Sequence, residues 1–401
     1  MPETDIQART ASLTDWSVGR VVGGLREADF DAVIATTVPN VFYLTGYPGF
    51  DPQFAVLTRD GTRHLLVPSS DCDLAAMYRP RTDSLTLFGT LFVNPADEQQ
   101  ETSDDERFLA EFLPAMSGGS GWLQALGSVL RSEGLENARL LVDEEGLTPL
   151  QFDSLRNAFS KATVELGSEI LKRCRSVKAP VEIERLRQAS SVTENAITSA
   201  LGQMQQGSTD IDLHREFLFS IVHRGARPYF EVIGVGTRTS LCNAEPNGST
   251  LERNSIIRFD VGCKYMMYCS DIARNAVFGE VSCRIGRYYQ AVLAGEQAGL
   301  EAIRPGVTAA ELFQVMVDTV RDNGIPHYER HHCGHGIGLD GYETPLIAPN
   351  DTTVLEEGMV LCFETPYYEL GLGGLQVEDM VLVTSDGCEL LTQLDREILA
   401  V

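Results

Sequence analysis

Five residues in the second half of the sequence could together hold divalent metal ions. They are Asp260, Asp271, His335, Glu364 and Glu378. Carboxylate oxygens with a single imidazole form the donor set expected of a two-metal hydrolytic site, where the ions activate water and polarise a carbonyl group. The residue types therefore predict a dinuclear metallohydrolase, provided that the fold brings the five side chains together.

The spacing of the two aspartates suggests one way to bring them together. They lie in apolar, strand-like segments, and a hairpin folded about Tyr265 and Met266 would place Asp260 directly opposite Asp271. Two opposed carboxylates in an apolar sheet repel each other, and burying them unpaired is costly. A cation between them would remove that cost.

The two glutamates show the same arrangement. Glu364 and Glu378 flank the run GLGG, and a hairpin centred on Gly371 pairs them across the two strands. Glycine suits that loop because it adopts positive φ angles at little cost. His335 lies between glycines in HHCGHGIGLDG, which lets the backbone approach a site closely. Cys333 and Cys362 each precede a candidate ligand by two residues, and we interpret them as small buried side chains lining a strand.

Length and composition limit the remaining possibilities. A chain of 401 residues favours two domains, and 43% hydrophobic with 22% charged residues is typical of folded protein. A net charge of −25 disfavours nucleic acid and membrane partners. Nine scattered cysteines without a C-x-x-C pair and a polar first segment favour a cytoplasmic protein with reduced thiols.

The first 170 residues alternate strand-like and helical patterns, which predicts an α/β domain. We expect a strand over 31–38, a hairpin over 54–68 that turns at Asp60 and Gly61, and a strand over 138–146 followed by a helix over 149–159. Residues 95–107 carry six acids and no large apolar residue, which predicts a solvated loop.

The second half mixes hairpins with helices. Pro180 begins a long helix after the domain junction, and residues 284–303 and 308–323 show helical periodicity. The second of these helices should end at Asn323-Gly324. The boundaries predicted from this pattern are 1–172 for the first domain and 173–401 for the second.

The order of these motifs resembles one known family. Asp, Asp, GHGIG, FETP and VED follow one another as in the pita-bread metallohydrolases, which include methionine aminopeptidase, aminopeptidase P, prolidase and creatinase. The run DAVIATTVPNVFYLTGYPGF and the junction RSVKAPVEIERLRQA are similar to the Xaa-Pro dipeptidase (prolidase) and aminopeptidase P branch. Methionine aminopeptidases lack such a first domain.

The resemblance implies a creatinase-like α/β N-terminal domain followed by an α+β pita-bread catalytic domain. It also implies two divalent ions (Mn, Co, Fe or Zn) held by the five residues and a metal-bridging hydroxide that attacks an Xaa-Pro bond. Glu364, or a carboxylate beside it, would carry the proton, and the protein would be a homodimer.

Some positions depart from the family pattern. His331 matches a helper histidine, but Asn243 and Tyr342 stand where the family usually has histidines, and Gln376 replaces a usual arginine. Asparagine cannot carry a proton near neutral pH and tyrosine does so poorly, although both can donate a hydrogen bond to an oxyanion. The four residues are candidate catalytic or, for Gln376, substrate-binding groups.

By family position, the segment 227–240 follows the substrate side of the sheet. Tyr229 and Phe230 are therefore candidates for lining the pocket, although aromatic residues at such positions are often core residues. The expected partner is a small peptide or another small molecule.

Three functions stay open at this stage. The first is cleavage of Xaa-Pro dipeptides or N-terminal Xaa-Pro bonds. The second is a metallohydrolase or lyase for a small non-peptide C–N or C–S substrate, which the missing helper histidines favour. The third is a non-catalytic binding module, which the complete ligand set disfavours.

Overall fold

The computed structural model describes residues 3–50, 52–97 and 99–401, with side chains from residue 13 onwards. The chain divides into two compact units, Met1–Arg175 and Ser176–Val401. The boundary between residues 172 and 173 that the sequence suggested stays a prediction. Among the described residues, no helix combines the length and the apolar character needed to cross a membrane.

The first unit is built on a six-stranded mixed sheet. The strands are β1 (Ala32–Ala35), β2 (Phe54–Thr58), β3 (Arg63–Pro68), β4 (Ser84–Phe88), β5 (Arg139–Val142) and β6 (Thr163–Leu166), in the order β4-β3-β2-β1-β5-β6. Strands β1, β2 and β3 pair antiparallel, and the outer pairs are parallel. The hairpin between β2 and β3 turns at Gly61, where φ is 101°.

In the described part of this unit, seven α-helices accompany the sheet. They are α1 (Glu3–Glu27), α2 (Val38–Thr45), α3 (Cys72–Tyr78), α4 (Asp104–Met116), α5 (Trp122–Ser132), α6 (Pro149–Ala158) and α7 (Ser168–Ser176). Helix α2 ends because Gly46 takes the left-handed conformation. The loop predicted over 95–107 is too long, since α4 already begins at Asp104. Ser103 and Glu106 form a capping box there, a signal that the acidic composition obscured. Residue 98 of this loop lies outside the described residues.

The second unit is built on a ten-stranded sheet. Its strands are β7 (Arg227–Val235), β8 (Ser255–Tyr265), β9 (Tyr268–Cys269), β10 (Ile272–Phe278), β11 (Gly334–Gly336), β12 (Glu343–Leu346), β13 (Val360–Glu364), β16 (Glu378–Val383), β17 (Cys388–Leu390) and β18 (Leu399–Ala400). The main path is β12-β11-β13-β16-β10-β8-β7. A separate hairpin pairs β14 (Tyr367–Glu369) with β15 (Gly373–Leu375).

Four helices complete this unit: α8 (Pro180–Gly202), α9 (Asp210–His223), α10 (Cys283–Ala302) and α11 (Ala309–Asp322). Pro180 lies in the first turn of α8, and α11 ends before Asn323, as the sequence suggested. Helices α10 and α11 bury apolar faces, including Val292, Met316 and Val320, in one core with strands β13 and β16. This packing fixes the strands that carry the candidate ligands.

The first hairpin of the second unit differs in register from the prediction. Its turn residues are Met266 and Met267, both with positive φ angles of 48° and 77°. Asp260 therefore pairs with Ala273 instead of Asp271. The prediction of two directly opposed aspartates is wrong by two residues, because methionine gives no sequence signal for the left-handed conformation that this turn needs.

Candidate metal centre

Four strands of the large sheet present one continuous row of side chains. Asp260 on β8 pairs with Ala273 on β10, Ala273 pairs with Glu378 on β16, and Glu378 pairs with Glu364 on β13. Directly paired residues share a face of an antiparallel sheet. The three carboxylates therefore point the same way, and the small side chain of Ala273 leaves space between them. The predicted pairing of Glu364 with Glu378 is confirmed.

A second row of side chains lies two residues before the first on β13 and β10, and it continues onto the neighbouring strand β11. His335 on β11 pairs with Cys362, two positions before Glu364, and Asp271 comes directly before β10, two positions before Ala273. A shift of two residues keeps the same face. Ligand atoms of Asp271, His335, Cys362 and Glu378 consequently lie within 4.8 Å of one another, and all four residues are buried.

Two atoms at the centre of this group have no hydrogen-bond partner. They are Oδ1 of Asp271 and Nε2 of His335, both fully buried. Nε2 lies 3.5 Å from Oδ2 of Asp271 and 4.0 Å from Oε1 of Glu378, while Nδ1 lies 3.0 Å from the carbonyl oxygen of Gly336. Buried polar atoms are rarely left unpaired in native proteins, so each needs an explanation. Oxygen and imidazole donors converging on one point fit a divalent cation.

Asp260 is held by an arginine that we did not predict as part of the site. Nη1 of Arg258 donates to Oδ2 of Asp260 at 2.8 Å and to Oε1 of Gln376 at 2.7 Å. Arg258 is fully buried, whereas the Asp260 side chain is 19% exposed. The signal was present in the sequence, because residues 258 and 260 of one strand must share a face.

Glu364 is held by three other groups. Nδ1 of His332 lies 3.1 Å from Oε1, Nε2 of Gln376 donates to Oε2 at 3.2 Å, and Nη2 of Arg330 lies 3.9 Å from Oε2. His332 is thus the buried neighbour of Glu364, while the predicted helper His331 is exposed. The sequence could not decide between two adjacent histidines, because only their local backbone determines which one faces inward.

The pKa values differ sharply among the carboxylates. Burial and the charges of Asp271 and Glu364 raise the pKa of Glu378 well above its usual range, and burial raises the pKa of Asp260 to about 7 against the opposing effect of Arg258. Burial alone would raise the pKa of Glu364 too, but the hydrogen bond with His332 and the charge of Arg330 lower it. The row therefore holds more carboxylates than its neighbours can keep ionised, and a bound cation would favour their ionised forms.

The structure also places the predicted tyrosine against the centre. The ring of Tyr342 stacks on His335 with centroids 3.7 Å apart, and the side chain is 61% exposed. Burial of its hydroxyl and the nearby Glu364 raise the pKa of Tyr342, so the phenol stays protonated. Tyr342 is thus a hydrogen-bond donor and a poor base.

The other predicted residues lie further out. Tyr229 is the extra residue of a β-bulge in β7; its hydroxyl accepts the N–H of Gly341 at 3.3 Å, and its ring meets Phe230 edge-on. The bulge turns Tyr229 towards the loop that carries Tyr342. Asn243 is exposed and makes none of the contacts that join the candidate ligands.

Comparisons with known proteins agree with this architecture. The model of metallopeptidase family M24 matches residues 184–385, and the model of the creatinase/prolidase N-terminal domain matches residues 18–177. The predicted fold class, a creatinase-like α/β domain followed by a pita-bread domain, is confirmed by these matches and by structural neighbours.

Individual relatives span most of the chain. An Xaa-Pro dipeptidase of Pyrococcus horikoshii is 24% identical and covers 95% of this chain and 98% of its own. Another Xaa-Pro dipeptidase, from Pyrococcus furiosus, is 30% identical over 66% of this chain and 77% of its own. The crystal structure of an X-Pro aminopeptidase from Thermotoga maritima superimposes with a TM-score of 0.79 at 24% identity, covering 96% of this chain and 99% of its own. The chain belongs to metallopeptidase family M24 and is a metal-dependent peptidase.

Proposed function

We propose that this protein hydrolyses Xaa-Pro dipeptides or N-terminal Xaa-Pro bonds and that two divalent ions assist the reaction. The relatives named Xaa-Pro dipeptidase support the substrate class. The observation that carries the proposal is the unpartnered pair of buried atoms, Oδ1 of Asp271 and Nε2 of His335, among four carboxylates. Asp260, Asp271, His335, Glu364 and Glu378 are the proposed ligands.

The donor set limits the choice of metal. Carboxylates with one imidazole suit Mn, Co, Fe or Zn, and five ligands that include four carboxylates are enough for two ions. When bound, such ions polarise a carbonyl group and lower the pKa of a water molecule. Cys362 supplies a further donor atom beside Asp271 and Glu378 that the sequence interpretation treated as structural.

Glu364 is the proposed proton carrier. Its lowered pKa keeps it ionised near neutral pH and makes it a weak base, so a proton that it accepts is readily released to the leaving nitrogen. His332 and Gln376 hold the two carboxylate oxygens separately, which fixes the direction in which the group can accept that proton. His331, exposed beside His332, is proposed to assist at the rim of the site.

Two polar residues are proposed to act on the substrate by hydrogen bonding. Tyr342 stays protonated against His335 and can donate to an oxygen on which negative charge develops. Asn243 can do the same if a substrate reaches its exposed position. Tyr229 and Phe230 form an edge-on aromatic pair beside the loop of Tyr342 and are proposed to contact the apolar part of the substrate.

Metal analysis combined with a substrate panel tests the proposal. Purified protein supplied with Mn²⁺ or Co²⁺ should hold about two ions per chain and hydrolyse a set of Xaa-Pro dipeptides or Xaa-Pro-terminated peptides faster than the matching Xaa-Ala peptides. Protein that holds metal but turns over none of these peptides would reject the substrate class and favour a small non-peptide substrate, as Asn243 and Tyr342 suggest. Protein that stays metal-free would reject the ligand set.

The resemblance also predicts a homodimer. Light scattering coupled to gel filtration measures this directly, since a mass near twice 44.0 kDa is expected for the dimer.

A further inference from the structure

The guanidinium of Arg258 uses all five of its N–H donors inside the protein. Nε donates to the carbonyl of Thr239 at 3.0 Å, and Nη2 donates to the carbonyls of Leu241 at 2.8 Å and Cys242 at 3.1 Å. Nη1 donates to Oδ2 of Asp260 and to Oε1 of Gln376. An arginine carries five donors in a fixed planar fork, so this set determines both its position and its orientation.

Arg258 also reaches a second carboxylate through one amide. Gln376 accepts from Arg258 through Oε1 and donates through Nε2 to Oε2 of Glu364 at 3.2 Å. The hydroxyl of Tyr368 donates to the same Oε1 at 3.1 Å, and the Tyr368 ring lies 5.1 Å below the guanidinium. The chain Asp260–Arg258–Gln376–Glu364 therefore connects the carboxylates at the two ends of the row.

A buried guanidinium needs such complete bonding, because a charge taken out of water is destabilising unless it is paired and hydrogen-bonded. Three backbone carbonyls and one carboxylate satisfy four of its five donors, and the fifth donates to Gln376. The additional bond to Gln376, whose amide then faces Glu364, extends the contact to the far side of the centre. Residues 239–242, which lead directly to Asn243, are held by the same group.

We propose that Arg258 is a positioning residue that sets the orientation of Asp260 directly and of Glu364 through Gln376, and thereby tunes metal affinity. The proposal rests on the proposed ligand set, in which both carboxylates bind metal. Arg258 itself has no donor left for a substrate, so its effect reaches the reaction only through these two side chains. Partners one step behind the ligands commonly change metal affinity by about 10- to 100-fold.

Titration of metal-free protein with Co²⁺ tests the proposal, using calorimetry for affinity and visible absorption for ligand geometry. Arg258→Met should weaken Co²⁺ binding by at least about tenfold and change the absorption spectrum. Arg258→Lys keeps the charge but loses the fork, so it should also change the spectrum. In the double variant Arg258→Met with Gln376→Arg, a guanidinium from position 376 can occupy the same space, and affinity should recover to within about threefold of the wild type.

Controls separate this effect from loss of folding and from failure of the ligand set. Arg321→Met removes a partly buried guanidinium that binds the carbonyl of Tyr328 and the carboxylate of Asp318, and it should leave Co²⁺ binding unchanged. If Arg258→Met does not fold, Gln376→Met breaks the connection between Arg258 and Glu364 while keeping the ion pair of Arg258 with Asp260, and it should still alter the spectrum. A folded Arg258→Met protein, or a Gln376→Met protein, with wild-type affinity and spectrum would overturn the proposal. A wild-type protein that binds no Co²⁺ would instead reject the ligand set on which it rests.

Discussion

Glu378 and Asp379 are adjacent on strand β16, but the first faces other carboxylates and the second faces an arginine. Glu378 faces Asp271, Glu364 and Asp260, and these charges together with burial raise its pKa well above the usual range. Asp379 points to the other face, where Nη2 of Arg274 donates to it at 2.5 Å and the hydroxyl of Thr392 donates as well. Although burial opposes ionisation of Asp379, Arg274 lowers its pKa.

The two faces therefore differ in how their charge is balanced. On the Asp379 face, Arg274 and Arg396 oppose Asp379 and Glu296, with Arg396 lying 3.0 Å from Glu296. On the Glu378 face, carboxylates outnumber the cationic groups in contact with them. Each face holds two buried side-chain atoms without a hydrogen-bond partner: Oδ1 of Asp271 and Nε2 of His335 on one, Oδ2 of Asp379 and Oε1 of Glu296 on the other. The balance of charge therefore distinguishes the two faces, and the face with excess carboxylates is the one suited to binding a cation.

Removing the charge of Glu378 should give the largest effect on function. Glu378→Gln should reduce metal affinity and peptidase activity by more than about 100-fold, because one of the proposed ligands loses its charge. The free energy of unfolding of the metal-free protein should stay the same or rise, because glutamine resembles the protonated form that the raised pKa of Glu378 already favours in the folded protein. Calorimetric metal titration and urea unfolding of the metal-free protein measure the two quantities. Asp318→Asn, which changes an exposed carboxylate on α11, is the matched control, and a variant with normal metal affinity would contradict the ligand assignment.

Removing the charge of Asp379 should lower the free energy of unfolding and leave metal binding intact, the reverse of the effect expected for Glu378. Asp379→Asn leaves the buried guanidinium of Arg274 without its carboxylate, and breaking a buried ion pair in this way costs about 3 kcal/mol or more. Urea unfolding of the metal-free protein should show this loss of stability, while the folded fraction should still bind metal. If Asp379→Asn and Glu378→Gln changed stability equally, the distinction between the two faces of the strand would fail.

Only part of the row formed by Asp260, Glu378 and Glu364 could be predicted from the sequence. The pairing of Glu364 with Glu378 was predictable because a symmetric, glycine-containing hairpin determines its own register. The pairing of Asp260 was not, because the turn at Met266 and Met267 uses residues that give no turn signal. The contact of Arg258 with Asp260 could have been predicted, because the two residues share a face of one strand, but the contact of Arg258 with Gln376 depends on which strands become neighbours. His332 was missed because the sequence does not show which of two adjacent histidines faces inward.

The N-terminal unit was easier to anticipate than the hydrogen bonds around the site. Strand β1, the hairpin of β2 and β3, and helix α6 follow from local patterns of apolar residues, glycine and capping residues. The network of Arg258 combines residues 239 to 376, and no local pattern specifies contacts over such a separation. Long-range polar contacts therefore remain the part that only the folded structure reveals.

Glu182 is a third buried carboxylate, and its contribution to the free energy of unfolding should depend on pH. Glu182 accepts the N–H of Ala179 at 2.7 Å and the hydroxyl of Tyr268 at 3.0 Å, and burial raises its pKa to about 7. The folded protein thus favours the protonated form of Glu182. The contribution of this group to the free energy of unfolding is complete below pH 4.5 and is lost as the pH rises through about 7. Glu182→Gln resembles the protonated form, since its oxygen can accept from Ala179 and its amide can donate to Tyr268.

Unfolding of the metal-free protein at a series of pH values measures this contribution. The variant should gain stability relative to the wild type between pH 5 and pH 8, by up to about 3 kcal/mol. The proposed metal ligands titrate in both proteins, and their contributions cancel in the difference. A difference that stays constant with pH would mean that Glu182 is ionised in the folded protein, as Asp379 is.

The smallest expected effect concerns the hydroxyl of Tyr342. Tyr342→Phe keeps the ring that stacks on His335 and removes only the donor, so metal content should not change. If the hydroxyl stabilises an oxygen that becomes negative in the transition state, kcat should fall by about tenfold with little change in KM. Because the side chain is 61% exposed, the loss should be smaller than for a fully buried donor. A Tyr78→Phe variant, in which the altered hydroxyl belongs to the first unit, controls for general effects. Equal kcat values for Tyr342→Phe and the wild type would assign Tyr342 a packing role against His335, and the developing negative charge would then have to be stabilised without that hydroxyl.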